Sequence, residues 1–235
     1  MPQKDMTKID FPYQVIRSRR KTAAIHVSSK GVQVRIPLKT SHRFALDFLM
    51  SKASWVRTKL AAQSEKLAEI PHLKIGSTLL WKGNNTPIYF QLGPKLKLSH
   101  TDVGFYIEAS VEPTSEQLQK LFTQYFKSQA KEMLIKLTYQ QADQMHLLHK
   151  LNGVRFRRTK TKWGHCTNKG VIQFNWLIMG APINVIEYLV VHEVAHLKHP
   201  NHQADFWSFV KQYCENYKAE DQWLKENGIK LGWCD

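Results

Sequence analysis

Between Pro182 and Pro200 the chain reads Ile-Asn-Val-Ile-Glu-Tyr-Leu-Val-Val-His-Glu-Val-Ala-His-Leu-Lys-His. This stretch constrains the fold more than any other. Proline suits the first turn of a helix, so Pro182 opens one. Pro200 disfavours helical geometry at His199 and stops it. Within the helix His192, Glu193 and His196 spell H-E-x-x-H. Residues four apart lie one turn above each other on one face. His192 and His196 can therefore reach a single divalent metal, zinc by the chemistry of the donors, with imidazole nitrogens about 2 Å away. Glu193 points off that axis yet stays close enough to touch a water in the metal's open position.

A catalytic zinc takes three protein ligands and keeps one position for water. His199 shares the helical face but lies about 10 Å further along the axis than His192, at about 1.5 Å per residue, and overshoots the site. Past Pro200 the chain is free to turn back, and His202 can swing in from outside the helix. Its place, six residues after the second histidine, matches the H-E-x-x-H-x-x-G-x-x-H spacing, although His199 stands where that pattern has glycine. Glu215 is the competing carboxylate further on. Three neutral imidazoles leave the metal its full charge, and Glu193 is then the base that takes a water's proton before attack on a carbonyl or phosphoryl centre.

The remaining segments supply a frame. Residues 13–17, 22–27 and 32–36 read as short strands, with a turn at Ser29-Lys30-Gly31. Ser41 caps one helix over about 42–68. Residues 77–109 return to strands, with a hairpin turn at Gly83-Asn84-Asn85. Thr114 and Gln117 stand in capping-box register at the head of a long helix, whose stripe of Leu118, Leu121, Phe122, Tyr125, Phe126, Ala130, Met133, Leu134 and Leu137 is core. That helix ends by Asn152-Gly153; His146 and His149 near its end lack a third metal-binding partner. Residues 154–163 and 171–178 read as an antiparallel hairpin turning at residues 167–170. Arg155, Arg157, Arg158, Lys160 and Lys162 charge both faces of its first strand, which must be an edge or line a cleft.

Charge is distributed unevenly over the 235 residues. Residues 1–110 carry a net +11 and residues 111–190 a net +6, whereas residues 191–235 carry −2. The positive field thus frames the metal-binding segment and favours anionic partners. The first ten residues have no apolar core of a secretory signal, and no run approaches the length of a membrane span. Cys166, Cys214 and Cys234 form no C-x-x-C pair and read as buried, reduced thiols, which suits a cytoplasmic protein.

Lys160-Thr-Lys-Trp-Gly-His-Cys166, Asn175-Trp-Leu-Ile178, Val190 to His202 and Phe206-Trp207 together resemble the YgjP-like metallopeptidase family, a zincin branch similar to the SprT-like proteases. The resemblance covers most of the chain. It implies an α+β protein with a basic, β-rich region over 1–112 holding one helix. A zincin-like catalytic domain over 113–235 follows, comprising the long helix, the antiparallel hairpin, the H-E-x-x-H helix and C-terminal helices. It also implies one zinc ion on His192, His196 and His202, with Glu193 as the catalytic glutamate. His165 departs from the family's Trp-Gly-Ser-Cys and reads as a solvent-facing turn residue, an added proton donor being the alternative. Three functions stay open: hydrolysis of a peptide lying along the 154–163 edge, hydrolysis of a nucleoside triphosphate, or nucleic-acid binding through the basic surface beside an idle zinc site.

Overall fold

The computed structural model describes residues 9–28, 31–159 and 161–233. The chain forms two compact units, Met1–Glu69 and Ile70–Asp235. In the first, β1 (Tyr13–Ser18), β2 (Ala24–Ser28) and β3 (Gly31–Pro37) form a sheet in the order β1-β3-β2, with β1 parallel and β2 antiparallel to β3. Alternation in β3 buries Val32, Val34 and Ile36. They share a core with Ala45 and Leu49 of α1 (His42–Ser51) and Val56 of α2 (Ala53–Ala68). Ser29 and Lys30, expected in the β2–β3 turn, lie outside the described residues.

Ser41 caps α1 as its sequence suggests, accepting from the Phe44 N–H at 3.1 Å. The single helix expected over 42–68 is instead two. The Ser51 hydroxyl donates to the Phe48 carbonyl at 2.8 Å, competing with the helical ladder. Lys52 then leaves helical geometry, with φ −113° and ψ 9°.

The second unit begins with β4 (Thr78–Trp81), β5 (Asn84–Leu92), β6 (Lys97–His100) and β7 (Phe105–Ala109) in the order β4-β5-β7-β6. The β4–β5 turn is Lys82-Gly83, both at positive φ, so Asn84 and Asn85 already belong to the strand. Leu79, Trp81, Ile88, Phe105 and Ile107 pack in one core with Phe122, Phe126 and Leu134 of α3 (Ser115–Gln144). The capping box forms at Thr114 and Gln117, satisfying two donors at the head of α3.

A second small sheet carries the site. Its strands are β8 (Gly153–Phe156), β9 (Gly164–Cys166) and β10 (Val171–Phe174), in the order β8-β10-β9. The antiparallel hairpin exists, but between β9 and β10; β8 runs parallel to β10 on the far edge. The 154–163 segment is therefore not one strand. It leaves the sheet after Phe156, where the Arg157 N–H makes a last bond to the Phe174 carbonyl at 2.9 Å, and Lys160 lies outside the described residues. The strand expected to reach Ile178 stops at Phe174. The Asn175 side chain accepts from the Leu177 N–H at 3.2 Å and opens the 3-10 turn Trp176–Gly180. Helices α4 (Ile183–Ala195), α5 (Ala204–Tyr213) and α6 (Tyr217–Asn227) complete the unit. No helix among the described residues is long and apolar enough to cross a membrane.

Candidate metal centre

Helix α4 is mostly apolar and buried, and it presents His192 and Glu193 on its last turn. It ends at Ala195, one turn before Pro200. His196 is its C-cap and keeps helical angles, φ −64° and ψ −17°. The chain then turns tightly, and His202 arrives just ahead of α5. Ligating atoms of His192, His196 and His202 all lie within 4.8 Å of one another. The Nε2 atoms of His192 and His202 are 3.1 Å apart. Two ligands on a tetrahedral zinc, with bonds of about 2.0–2.1 Å, sit roughly 3.3 Å apart, so the three rings fit one such ion.

Neighbouring groups fix which nitrogen faces that point. Tyr188 donates its hydroxyl hydrogen to Asp221 at 3.2 Å, so its oxygen is left to accept from His192 Nδ1–H at 3.3 Å. The His196 Nδ1–H donates to the His199 carbonyl at 3.0 Å. In both rings the Nε2 lone pair is thereby directed at the shared centre. Burial pushes the His192 imidazole down to about 3, helped by the two neighbouring imidazoles; burial also lowers His196. Both rings are consequently neutral, the form that binds a metal. Burial and the charge of Asp221 raise the Tyr188 hydroxyl, which stays protonated and able to donate.

Phe206, fully buried in α5, touches all three imidazoles at centroid distances of 4.6–5.0 Å. Trp207 flanks His192 and His202 at 5.8 and 5.6 Å. Phe206 and Trp207, at i+4 and i+5 from His202, thus pack the imidazoles in place, a role their residue types alone do not signal.

Glu193 is 4% exposed. Burial pushes its carboxyl up to about 8; the Lys162 charge and a Cys166 backbone hydrogen bond oppose that. Its Oε2 is buried without a hydrogen-bond partner. Gly164 explains how the carboxylate fits, since a Cβ there would lie 2.2 Å from Glu193 Oε1. Only glycine lets β9 approach this closely.

The histidines and Glu193 line a cleft of about 920 Å³, together with β9 and the 167–170 turn. Glu215 is exposed and outside the histidine cluster. The His199 ring turns to Phe209, at 5.4 Å, and contributes only its carbonyl. His165 sits in mid-strand rather than in a turn, exposed at the cleft wall. His146 and His149 are exposed and join no cluster among the described residues. Cys166 and Cys214 are free thiols, half-buried rather than buried, and Cys234 lies outside the described residues. Burial raises Cys166 to about 11, so it stays a thiol.

A protein-family model described as "YgjP-like, metallopeptidase domain" matches residues 21–227. No curated protein matches the chain. Among solved structures, the crystal structure of the metallopeptidase zymogen of Pyrococcus abyssi abylysin is similar at 23% identity. The alignment covers 40% of this chain and 94% of that one, with a TM-score of 0.36.

Proposed function

The chain belongs to the YgjP-like metallopeptidase family, and from that premise we propose a zinc-dependent peptidase with one ion on His192, His196 and His202 and Glu193 as general base. The observation that carries this reading is the convergence of three imidazoles, ligating atoms within 4.8 Å, beside a buried carboxylate whose Oε2 has no partner. His192, His196 and His202 would hold the zinc ion, which would supply Lewis acidity there. Glu193 takes the proton of the attacking water and hands it to the departing amine. The Cys166 backbone holds the carboxylate in place, and burial keeps water from competing for it.

The edge of β9 suits an extended substrate. Trp163 accepts from the Asn175 N–H at 2.7 Å and the Thr167 N–H donates to Val171 at 2.9 Å, so these alternate residues turn their peptide groups toward β10. By the antiparallel pattern Gly164 and Cys166 turn theirs toward the cleft. Cys166 is engaged with Glu193, which leaves Gly164 to pair with a peptide strand by β-augmentation. The substrate edge is thus residues 164–166, replacing the 154–163 strand that the sequence suggested.

The test is a panel of casein, unstructured peptides and nucleoside triphosphates with zinc-loaded protein, beside Glu193→Gln. Amide cleavage that disappears in the variant is the expected result. Phosphate or pyrophosphate release that disappears instead would replace the peptide bond by a phosphoanhydride. Activity unaltered by Glu193→Gln would remove the mechanism.

A further inference from the structure

We propose that the N-terminal unit binds the phosphodiester backbone of nucleic acid through an arginine cluster at one end of its sheet. Residues 11–46 contain eight Lys and Arg and no Asp or Glu. The strand register gathers most of them. Ser18 of β1 pairs with Pro37 of β3, and Ala24 of β2 pairs with Arg35. The 19–23 connection must therefore cross the middle strand at that end, carrying Arg19, Arg20 and Lys21 to Arg35. Arg17 and Lys39 come to the same end; the Arg17 guanidinium donates to the Thr40 carbonyl at 3.4 Å.

Two of these guanidiniums are incompletely satisfied. The Nε atoms of Arg20 and Arg35 are both buried and lack a hydrogen-bond partner. The Arg35 guanidinium donates to the Gln33 side chain at 2.9 Å. Among the described residues no carboxylate pairs with any of the six cations, whereas Arg57 in the same unit is paired with Asp10 at 2.9 Å. A buried donor on a charged fork calls for an acceptor, and phosphate oxygens match that fork with two parallel bonds.

The face of β3 turned away from Val32, Val34 and Ile36 extends the site. Gln33 pairs with Gln14 and His26, giving a row of three polar side chains across the sheet, next to the row Ile16–Arg35–Ala24. A lone phosphate would use two cations and none of this row. A polymer with a phosphate at every residue uses all six and places its sugars and bases over the polar row.

The full-length protein should bind a labelled single-stranded oligonucleotide in fluorescence anisotropy, with log affinity falling against log salt at a slope of about −4 for six neutralised phosphates. Arg20→Gln with Arg35→Gln should weaken binding about ten-fold or more and flatten the slope by roughly 1.4. Because Arg35 is half-buried, a second variant, Arg19→Gln/Lys21→Gln/Lys39→Gln, changes exposed side chains only and should flatten the slope by roughly 2. Binding should persist with a chelator and in Glu193→Gln, since the cluster lies outside the metal-binding unit. Binding unchanged in both multiple variants would overturn the proposal. So would no binding at low salt, or tighter binding of pyrophosphate, phosphatidylserine vesicles or polyglutamate than of the oligonucleotide.

Discussion

Glu193 and Gly164 act as a pair, because the carboxylate occupies the space a side chain at 164 would fill. Gly164→Ala should therefore displace Glu193 while leaving the histidines in place. A shift of about 1 Å in a catalytic group costs on the order of 100-fold in rate. Peptidase activity of the variant should fall by about that factor at unchanged zinc content, measured by elemental analysis of dialysed protein; zinc lost in parallel would show that Gly164 supports the metal seat instead. The ligand set has its own test at this scale. His202→Ala should lose most bound zinc, and Glu215→Ala, which alters an exposed residue away from the cluster, should lose none. The reverse pattern would make the carboxylate the third ligand. That His192 and His196 share one face could be read from spacing alone because a helix repeats every 3.6 residues, whereas His202 lies outside that repeat. Gly164 could not, since its role depends on how close β9 comes to α4, and nothing local in the Trp-Gly-His-Cys run records that distance.

Among the elements, α6 reaches the metal seat through side chains rather than backbone. Asp221 accepts from Tyr188, which holds His192, and Lys225 in turn pairs with Asp221. Losing such an outer partner lowers metal affinity by about 10–100-fold. Tyr188→Phe should show that loss by competition with a chromophoric chelator, while keeping its packing; an unchanged affinity would mean the ring, not the hydroxyl, orients His192. Asn175 has a comparable structural role in the site sheet. Its backbone N–H donates to Trp163, its amide to Thr159 at 3.0 Å, and its side-chain oxygen accepts from Leu177. The residue is buried, so Asn175→Ala keeps the backbone bond to Trp163 but strands the Thr159 carbonyl and the Leu177 N–H, each costing about 1–3 kcal/mol. Such elements were unevenly legible. The caps at Ser41 and Thr114 follow from bonds within four residues and appear where the sequence marks them. The parallel pairing of β8 with β10 joins residues 18 apart across a hairpin, and the basic run 155–162 gave no sign of where it leaves the sheet. Alternation carries the 171–178 strand too far because Asn175 ends it by a side-chain bond that periodicity does not register.

At the scale of the whole molecule, the buried apolar side chains form two cores. One groups Val32, Val34, Ile36, Ala45, Leu49 and Val56; the other runs from Leu73 to Trp233 and includes the walls of the metal seat. Residues 78–109, which composition groups with the basic N-terminal region, contribute Trp81, Phe105 and Ile107 to the second core, so charge and packing divide the chain at different places. A domain with so few buried side chains as the first rarely exceeds about 3–5 kcal/mol of stability. A metal held by the histidine cluster would add to the second alone. Free zinc at about 1,000 times its dissociation constant contributes roughly 4 kcal/mol to the state that binds it. For a unit of this size each kcal/mol moves the midpoint by about 2–4 °C, so chelation should lower the second transition by roughly 10 °C. Calorimetry of the full chain should then show two transitions, the smaller one indifferent to EDTA and the larger one displaced by it. A single transition, or two that move together, would mean that the N-terminal unit draws its stability from the metal-binding unit and that the separate cores do not unfold as separate units.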